Sequence, residues 1–221
     1  MVHLPQPFPA PVETAVVTYD FTDFSDGTGI VEYNGFAYEN SGAATVYALS
    51  RSTNTEFSTL IEQADLIPAT GSFTKLADLD FDAPVFNTPK ILKGTSQLNI
   101  CHVGASGGND ITTFILAKIR KWDGTTETEV VSGQSPDITT STSTIKKVQT
   151  VEMVVPSTHF KKGDTLRLTI EVWAKQVGGA GQLTTIGHDP ENRDATRIIP
   201  STDDPRTTTK LLFRAPFDLD V

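Results

Sequence analysis

Apolar and polar residues alternate along most of the chain, and this pattern predicts β-strands. The clearest case is residues 164–175, in which four aliphatic side chains occupy every second position: Leu166, Leu168, Ile170 and Val172. Residues 78–82 also alternate strictly, so Leu79 and Phe81 share one face while three aspartates share the other. Each of these strands is therefore expected to bury one face and to expose the other.

The same pattern predicts the remaining strands. Their approximate ranges are 12–19, 29–33, 43–49, 95–103, 112–122, 126–131, 147–155 and 207–213. Residues 53–64 are ambiguous, since 57–61 fits a short strand or a single helical turn. Residues 135–144 are rich in Ser and Thr and are predicted to form a polar loop. We expect Phe114 and Leu116 to face the core together with the aliphatic side chains of 164–175.

Short strands with frequent turn signals predict an all-β fold, an antiparallel β-sandwich of the jelly-roll or galactose-binding-like type. No change in composition marks a linker, so we expect a single sandwich domain over residues 12–221. Residues 1–11 form a separate extended, Pro-rich N-terminal arm. We expect this arm to dock either on its own domain or on a neighbouring subunit. Its predicted contact residues are Leu4, Pro5, Pro7, Phe8 and Pro9.

Composition and charge narrow the classes of partner. The chain has 18 basic and 27 acidic residues, a formal net charge of −9, which argues against a nucleic-acid partner. Its single cysteine, Cys101, excludes an intramolecular disulfide and a cysteine-rich zinc site. No apolar run approaches the roughly 20 residues of a membrane span, so no membrane partner is expected. The first residues lack the features of a signal peptide, and we expect synthesis in a cytoplasm.

The sequence contains no motif that predicts catalysis. A Gly-x-Ser-x-Gly nucleophile elbow is absent. Cys101 and His102 are adjacent, and on a strand their side chains point to opposite faces, so they are not expected to form a catalytic pair. The protein is therefore expected not to be an enzyme.

Residues 187–194 form the densest polar cluster. Asp189, Glu191 and Asp194 offer the oxygen ligands that Ca²⁺ prefers, although their spacing does not match an EF-hand. Apart from this calcium hypothesis, no cofactor is expected. The alternative is a structural loop in which Asp189 or Asn192 caps backbone donors.

Two further groups are candidates for binding. Trp122 and Trp173 are the candidate ligand aromatics of a carbohydrate-binding surface, and Tyr33 and Tyr38 flank Gly35-Phe36. A glycan is therefore a candidate partner, although a sandwich also buries aromatic side chains in its core. The three aspartates of residues 78–82 repel one another, so we expect them to be solvated or paired with Lys or Arg.

Three segments carry a resemblance to a known family: residues 118–124 (KIRKWDG), 151–156, and 159–170 (HFKKGDTLRLTI). Across residues 78–215 the chain resembles the C-terminal galactose-binding-like sandwich of X-prolyl dipeptidyl peptidases and cocaine-esterase-like hydrolases. The catalytic α/β-hydrolase domain that precedes this module in those enzymes has no counterpart in the sequence. The resemblance therefore implies a fold and no catalytic residue.

A second resemblance rests on residues 21–23 (FTD), 26–29 (DGTG) and 187–190 (GHDP). With these segments the whole chain is similar to proteins from viruses of prokaryotes, many of which are virion components with jelly-roll-like sandwiches. It implies a non-enzymatic capsid, decoration, turret or tail-associated protein located in the virion. Its partners would be copies of itself and other virion proteins. The alternative function is a carbohydrate-binding β-sandwich module.

Overall fold

The computed structural model describes residues 29–40, 44–57, 61–63, 67–105, 109–141, 143–178, 183–192 and 209–219. The five predicted contact residues of the arm, the predicted strand 12–19 and Asp194 lie outside these ranges. All structural statements below refer to the described residues.

These residues form twelve β-strands and no helix. The strands are β1 (Gly29–Asn40), β2 (Ala44–Ser50), β3 (Ile61–Gln63), β4 (Thr74–Asp82), β5 (Lys90–Ala105), β6 (Asp110–Trp122), β7 (Glu127–Gln134), β8 (Ile138–Thr140), β9 (Ile145–Phe160), β10 (Thr165–Val177), β11 (Leu183–Gly187) and β12 (Leu211–Leu219). A search of the described part of the chain for a helix able to cross a lipid bilayer finds none. The predicted all-β class is confirmed.

The strands are joined edge to edge and lie in two layers. The first layer runs β9-β5-β12-β1-β2. Strand β11 pairs with the last residues of β5, beyond the part that pairs with β12, and β3 pairs with β11. The second runs β4-β10-β6-β7, with β8 also on β6. Every pair is antiparallel except β2 and β4, which are parallel and join the layers through Tyr47↔Phe81 and Ala48↔Asp82. The predicted antiparallel β-sandwich is therefore confirmed, with this one parallel junction.

The core between the layers is filled by the inward-facing side chains of both. Leu166, Leu168 and Ile170 of β10 are fully buried, as predicted. Four phenylalanines are among the largest fully buried side chains: Phe81, Phe160, Phe213 and Phe217. On the side away from the β2–β4 junction, β7 lies directly against β9. There the α-carbon of Gly133 comes so close to the backbone of Glu152 that a side chain would not fit.

Two expectations about strands are wrong. Phe114 and Leu116 are only half-buried, because the core face of β6 carries Ile115, Ala117 and the other odd-numbered positions. Both faces of this strand contain apolar residues, so alternation alone does not identify the inner one. In addition, the predicted loop 135–144 contains strand β8, whose Ile138 and Thr140 are buried against β6.

Candidate functional site

The outer face of β4 carries the three predicted aspartates, and each has a partner. Asp82 accepts two hydrogen bonds from Arg167 of β10, Nε to Oδ1 at 2.6 Å and Nη2 to Oδ2 at 2.8 Å. Asp80 accepts a hydrogen bond from the hydroxyl of Thr169 at 2.5 Å. Asp78 pairs with Lys75 at 2.6 Å. Arg167 Nη1 also lies 3.6 Å from Asp80 Oδ2, so the expected pairing with basic residues is confirmed for all three carboxylates.

Trp122 lies beneath the side chain of Arg167. The guanidinium carbon is 5.1 Å from the ring centroid, a cation–π contact. Arg167 also donates to Glu127 Oε1 at 3.1 Å, so it is held over the ring by carboxylates on β4 and β7. Hydrogen bonds to Asp82 raise the pKa of Arg167, and the guanidinium stays charged. One face of the Trp122 ring is therefore already occupied by the protein.

Trp173 is stacked on Phe114, with ring centroids 6.3 Å apart and an interplanar angle of 6°. Its indole N–H donates to Glu171 Oε2 at 2.8 Å, and Lys118 donates to the other oxygen of Glu171 at 2.8 Å. Burial alone would raise the pKa of Glu171, but these hydrogen bonds outweigh it and hold the pKa below its usual value. Trp173 thus belongs to a packed cluster on the outer face.

The two tryptophans do not lie together. Trp122 pairs with Thr165 at one end of β10, while Trp173 is eight positions further along the same strand, about 27 Å away at strand spacing. One sugar ring could not contact both. Ligand binding by Trp122 and Trp173 remains a prediction, and each tryptophan would contact a ligand on its own.

Cys101 and His102 are both fully buried on β5. Burial raises the pKa of the Cys101 thiol to about 11, so it stays protonated at neutral pH and is a poor nucleophile. His102 Nδ1 donates to Gln149 Oε1 at 2.6 Å, and Nε2 faces the hydroxyls of Thr184 at 2.8 Å and Thr113 at 3.1 Å. Burial lowers the pKa of His102 to about 4, although the hydrogen bond with Gln149 opposes this shift. His102 is a neutral core residue in a hydrogen-bond network.

The loop after β11 is organised by Asp189 and Asn192. Asp189 is fully buried and accepts hydrogen bonds from the backbone N–H of Glu191 and from the Thr209 hydroxyl. Asn192 has a left-handed backbone, φ 57°, and its side-chain oxygen accepts from the N–H of Thr209 at 2.6 Å. Asp189 thus caps a local backbone donor, as in the structural-loop alternative, whereas the donor that Asn192 caps lies 17 positions away. No cluster of three metal-ligating side chains is present among the described residues, and calcium binding by Asp189, Glu191 and Asp194 stays a prediction.

A different surface has the shape and chemistry of a binding site. The β1–β2 hairpin places Phe36 opposite Ala48 and Tyr38 opposite Val46. Cross-strand partners share a face, so these four side chains form one apolar surface. Phe36 and Tyr38 are stacked, with centroids 6.0 Å apart. The loop after β4 supplies the facing wall, and the resulting groove has a volume of about 660 Å³. We call this the aromatic groove and define it by Phe36, Tyr38, Val46, Ala48, Pro84 and Val85.

The aromatic groove continues into a smaller hollow at each end. The first, about 370 Å³, shares Tyr38 and Glu56 with it. The second, about 120 Å³, shares Pro84 and Val85 and extends to Lys90. The three hollows therefore form a long depression with an apolar middle. Val85 at its wall is 56% exposed, which is high for a large aliphatic side chain.

Sequence reasoning found only part of this surface. The aromatic run around Phe36 and Tyr38 is visible in the sequence, but Tyr33, named with it, is buried and stacked on Phe213. The facing wall of residues 84–85 is brought to the hairpin by the parallel β2–β4 junction. No local pattern predicts that pairing.

No protein-family model matches the chain, and no curated protein matches it. Similar solved structures include two of a CocE/NonD family hydrolase from Staphylococcus aureus, with 15% and 14% sequence identity and TM-scores of 0.39 and 0.40. They cover 70% and 84% of this chain and 36% of each hydrolase chain. The structure of infectious bursal disease virus, Gx strain, is similar at 12% identity and a TM-score of 0.28, covering 87% of this chain and 57% of that chain.

The chain thus spans between about a third and just over half of the length of these proteins. The hydrolase belongs to the group that residues 78–215 resemble in sequence. At these identities and TM-scores the similarity assigns no activity, ligand or partner to this chain.

Proposed function

We propose that this protein is a non-enzymatic structural subunit of a virus particle. In this proposal it is made in the host cytoplasm and assembles through contacts between copies of the chain and with other virion proteins. Its place would be in the capsid, in a decoration or turret, or near the tail. The sequence resemblance to proteins from viruses of prokaryotes supports the viral assignment.

The observation that carries the proposal is the aromatic groove. It is long, open and apolar in its middle, and Val85 leaves an aliphatic side chain largely exposed at its wall. Surfaces of this kind bind extended polypeptide segments, whose side chains fill an apolar groove. The neighbouring outer face of β4 and β10 differs, because its charges are paired within the chain through Arg167 and Lys75. Contact with another polypeptide is therefore expected at the groove.

The experiment is light scattering of the full chain over a wide range of concentrations, with electron microscopy of the same samples. We expect a defined oligomer or a regular assembly at micromolar concentration. Genes for capsid, portal or terminase proteins beside the gene of this protein would support the viral assignment. A monomer at every concentration would contradict the proposed role.

A carbohydrate-binding module is the second candidate, and the stacked pair of Phe36 and Tyr38 favours it. Flat aromatic faces stack on sugar rings, and Glu56 beside Tyr38 could accept hydrogen bonds from hydroxyl groups. A glycan array separates the two candidates. Specific binding of one glycan that is lost in Tyr38→Ala would favour this second function.

A further inference from the structure

We propose that the aromatic groove binds the Pro-rich segment of residues 4–11 from a second copy of the chain. This inference rests on the proposed function and names the contact by which copies join. The segment belongs to residues 1–28, which lie outside the described residues and end where β1 begins.

The sequence of the segment favours an extended shape before any contact is made. Every residue from 4 to 10 is either a proline or directly precedes one. Proline fixes its own φ near −65°, and it also restricts the preceding residue to extended conformations. Because little conformational entropy is left to lose, such a segment binds with a smaller entropic cost than an ordinary chain terminus.

The dimensions of the groove and of the segment agree. The residues of β1 that line the three hollows run from Tyr33 to Glu39, which is about 20 Å at strand spacing. Residues 4–11 in a polyproline conformation span about 22 Å. A single extended segment therefore has about the length of the depression.

The chemistry of the two surfaces also agrees. Residues 4–11 carry no charged side chain, and Leu4 and Phe8 are their large apolar groups. The middle of the groove offers Phe36, Tyr38 and Val46 as apolar partners. Proline-rich segments commonly bind in aromatic-lined grooves, because proline rings pack flat against aromatic faces and the missing N–H needs no acceptor.

The intervening chain is long enough for an exchange between copies. Residues 12–28 are 17 residues, which span up to about 56 Å when extended. The aromatic groove begins at Phe36, seven positions beyond Gly29 on β1, about 24 Å away. The segment therefore has sufficient length to leave its own domain and to reach the groove of a neighbour.

The test uses two variants of the full chain that damage opposite sides of the contact. Phe8→Ser damages the segment, with Gln6→Ser as its matched control. Val85→Arg places a charge at the wall of the groove, at an exposed position where misfolding is not expected. Its matched control is Val154→Arg on β9, where the valine is 75% exposed. Tyr38→Ala is a second groove variant.

Sedimentation velocity then measures association of each variant alone and of Phe8→Ser mixed with Val85→Arg. We expect each of these two variants, and Tyr38→Ala, to associate at least about tenfold more weakly than wild type, while both controls associate normally. In the mixture, the intact segment of Val85→Arg meets the intact groove of Phe8→Ser. Association should therefore recover when the two variants are mixed, but not when either variant is measured by itself.

Each other outcome has a distinct meaning. Normal association of Val85→Arg and Tyr38→Ala would overturn the groove as the docking site and leave the proposed function standing. Weak association of both variants without recovery in the mixture would overturn a second copy as the source of the segment, as when each segment occupies its own groove. A wild-type chain that is a monomer throughout would overturn the proposed function and this contact together.

Discussion

Arg167 shows how a single side chain connects several strands of this sandwich. It lies on β10, holds Asp82 of β4 through two hydrogen bonds, reaches Glu127 of β7 and covers the ring of Trp122 at the end of β6. A planar guanidinium suits this position because it can bind a carboxylate through two nitrogens and stack on an aromatic ring at once. Lysine could not replace both contacts.

Leu168 offers the simplest test of the core. It is fully buried on β10 between Phe81 of β4 and Ile119 of β6. Leu168→Ala removes three carbon atoms from a packed interior, so we expect the free energy of unfolding to fall by about 2–5 kcal/mol. Chemical denaturation measures this loss. Val154→Ala, at an exposed position, is the control, and a loss below about 0.5 kcal/mol for Leu168→Ala would show that its assigned face is wrong.

His188 is expected to make stability depend on pH. It is fully buried, its ring meets those of Tyr47 and Phe81, and neither nitrogen has a hydrogen-bond partner among the described residues. Burial lowers its pKa from 6.5 to about 4. Between these pH values the unfolded chain binds a proton that the folded chain does not. His188 therefore does not lower the free energy of unfolding above about pH 6.5, and it lowers it progressively as the pH falls towards 4.

The variant His188→Phe keeps an aromatic ring and removes the titrating group. We expect its free energy of unfolding to fall less than that of wild type when the pH is lowered from 7 to 4.5. The remaining fall comes in part from His102, whose pKa is also about 4. Urea denaturation at both pH values measures the difference. Identical pH dependence in the two proteins would contradict a buried, neutral His188.

Calcium binding near Asp189 is tested by thermal unfolding of the full chain. If Asp189, Glu191 and Asp194 hold the ion, adding a chelator lowers the melting temperature and excess calcium restores it. Superimposable melting curves would leave Asp189 with its structural role alone, as acceptor for the N–H of Glu191 and the Thr209 hydroxyl.

At the scale of strands, the alternation of apolar and polar residues predicted the position of a strand and its buried face well where the other face was clearly polar. In β10 and β4 the polar positions carry charged residues, and their inward faces were predicted correctly. In β6 both Phe114 and Ile115 are apolar, so the choice of face depended on Lys118 and Arg120 further along. Those two charged residues share the face of Phe114 and point away from the core.

The candidate site was harder to predict because it joins parts that are distant in the sequence. Phe36 and Tyr38 could be singled out as aromatic residues of one strand, but their facing wall follows β4, more than forty positions later. The pairing of β2 with β4 decides where that wall lies. Pairing of this kind depends on the packing of the whole sandwich, and no local pattern encodes it.

The contact between β7 and β9 gives a prediction at this scale. A Cβ atom on Gly133 would lie 2.8 Å from the backbone oxygen of Glu152 and 2.9 Å from Met153 Cγ. Gly133→Ala must therefore push the two strands apart, and we expect it to lower the free energy of unfolding by about 1–3 kcal/mol. Ser132→Ala on the same strand, where the serine is exposed, is the control. Equal stability of both variants would show that β7 does not lie this close to β9.

The described part of the molecule combines a packed sandwich with a long surface depression whose middle is apolar. Among the described residues, the main cluster of buried core side chains does not include Phe36, Tyr38 or Val85 of the aromatic groove. These groove side chains are therefore not used to pack the core between the two layers. The Pro-rich segment at the start of the same chain has the length and the side chains that this surface suits.

The central claim is that copies of this chain assemble through that segment. The most direct test is sedimentation velocity of wild type and of a variant lacking residues 2–11, each over a wide range of concentrations. We expect wild type to form an oligomer, and the shortened chain to remain a folded monomer with the melting temperature that wild type shows when diluted to a monomer. An equally assembled shortened chain, or a monomer both before and after the deletion, would contradict the claim.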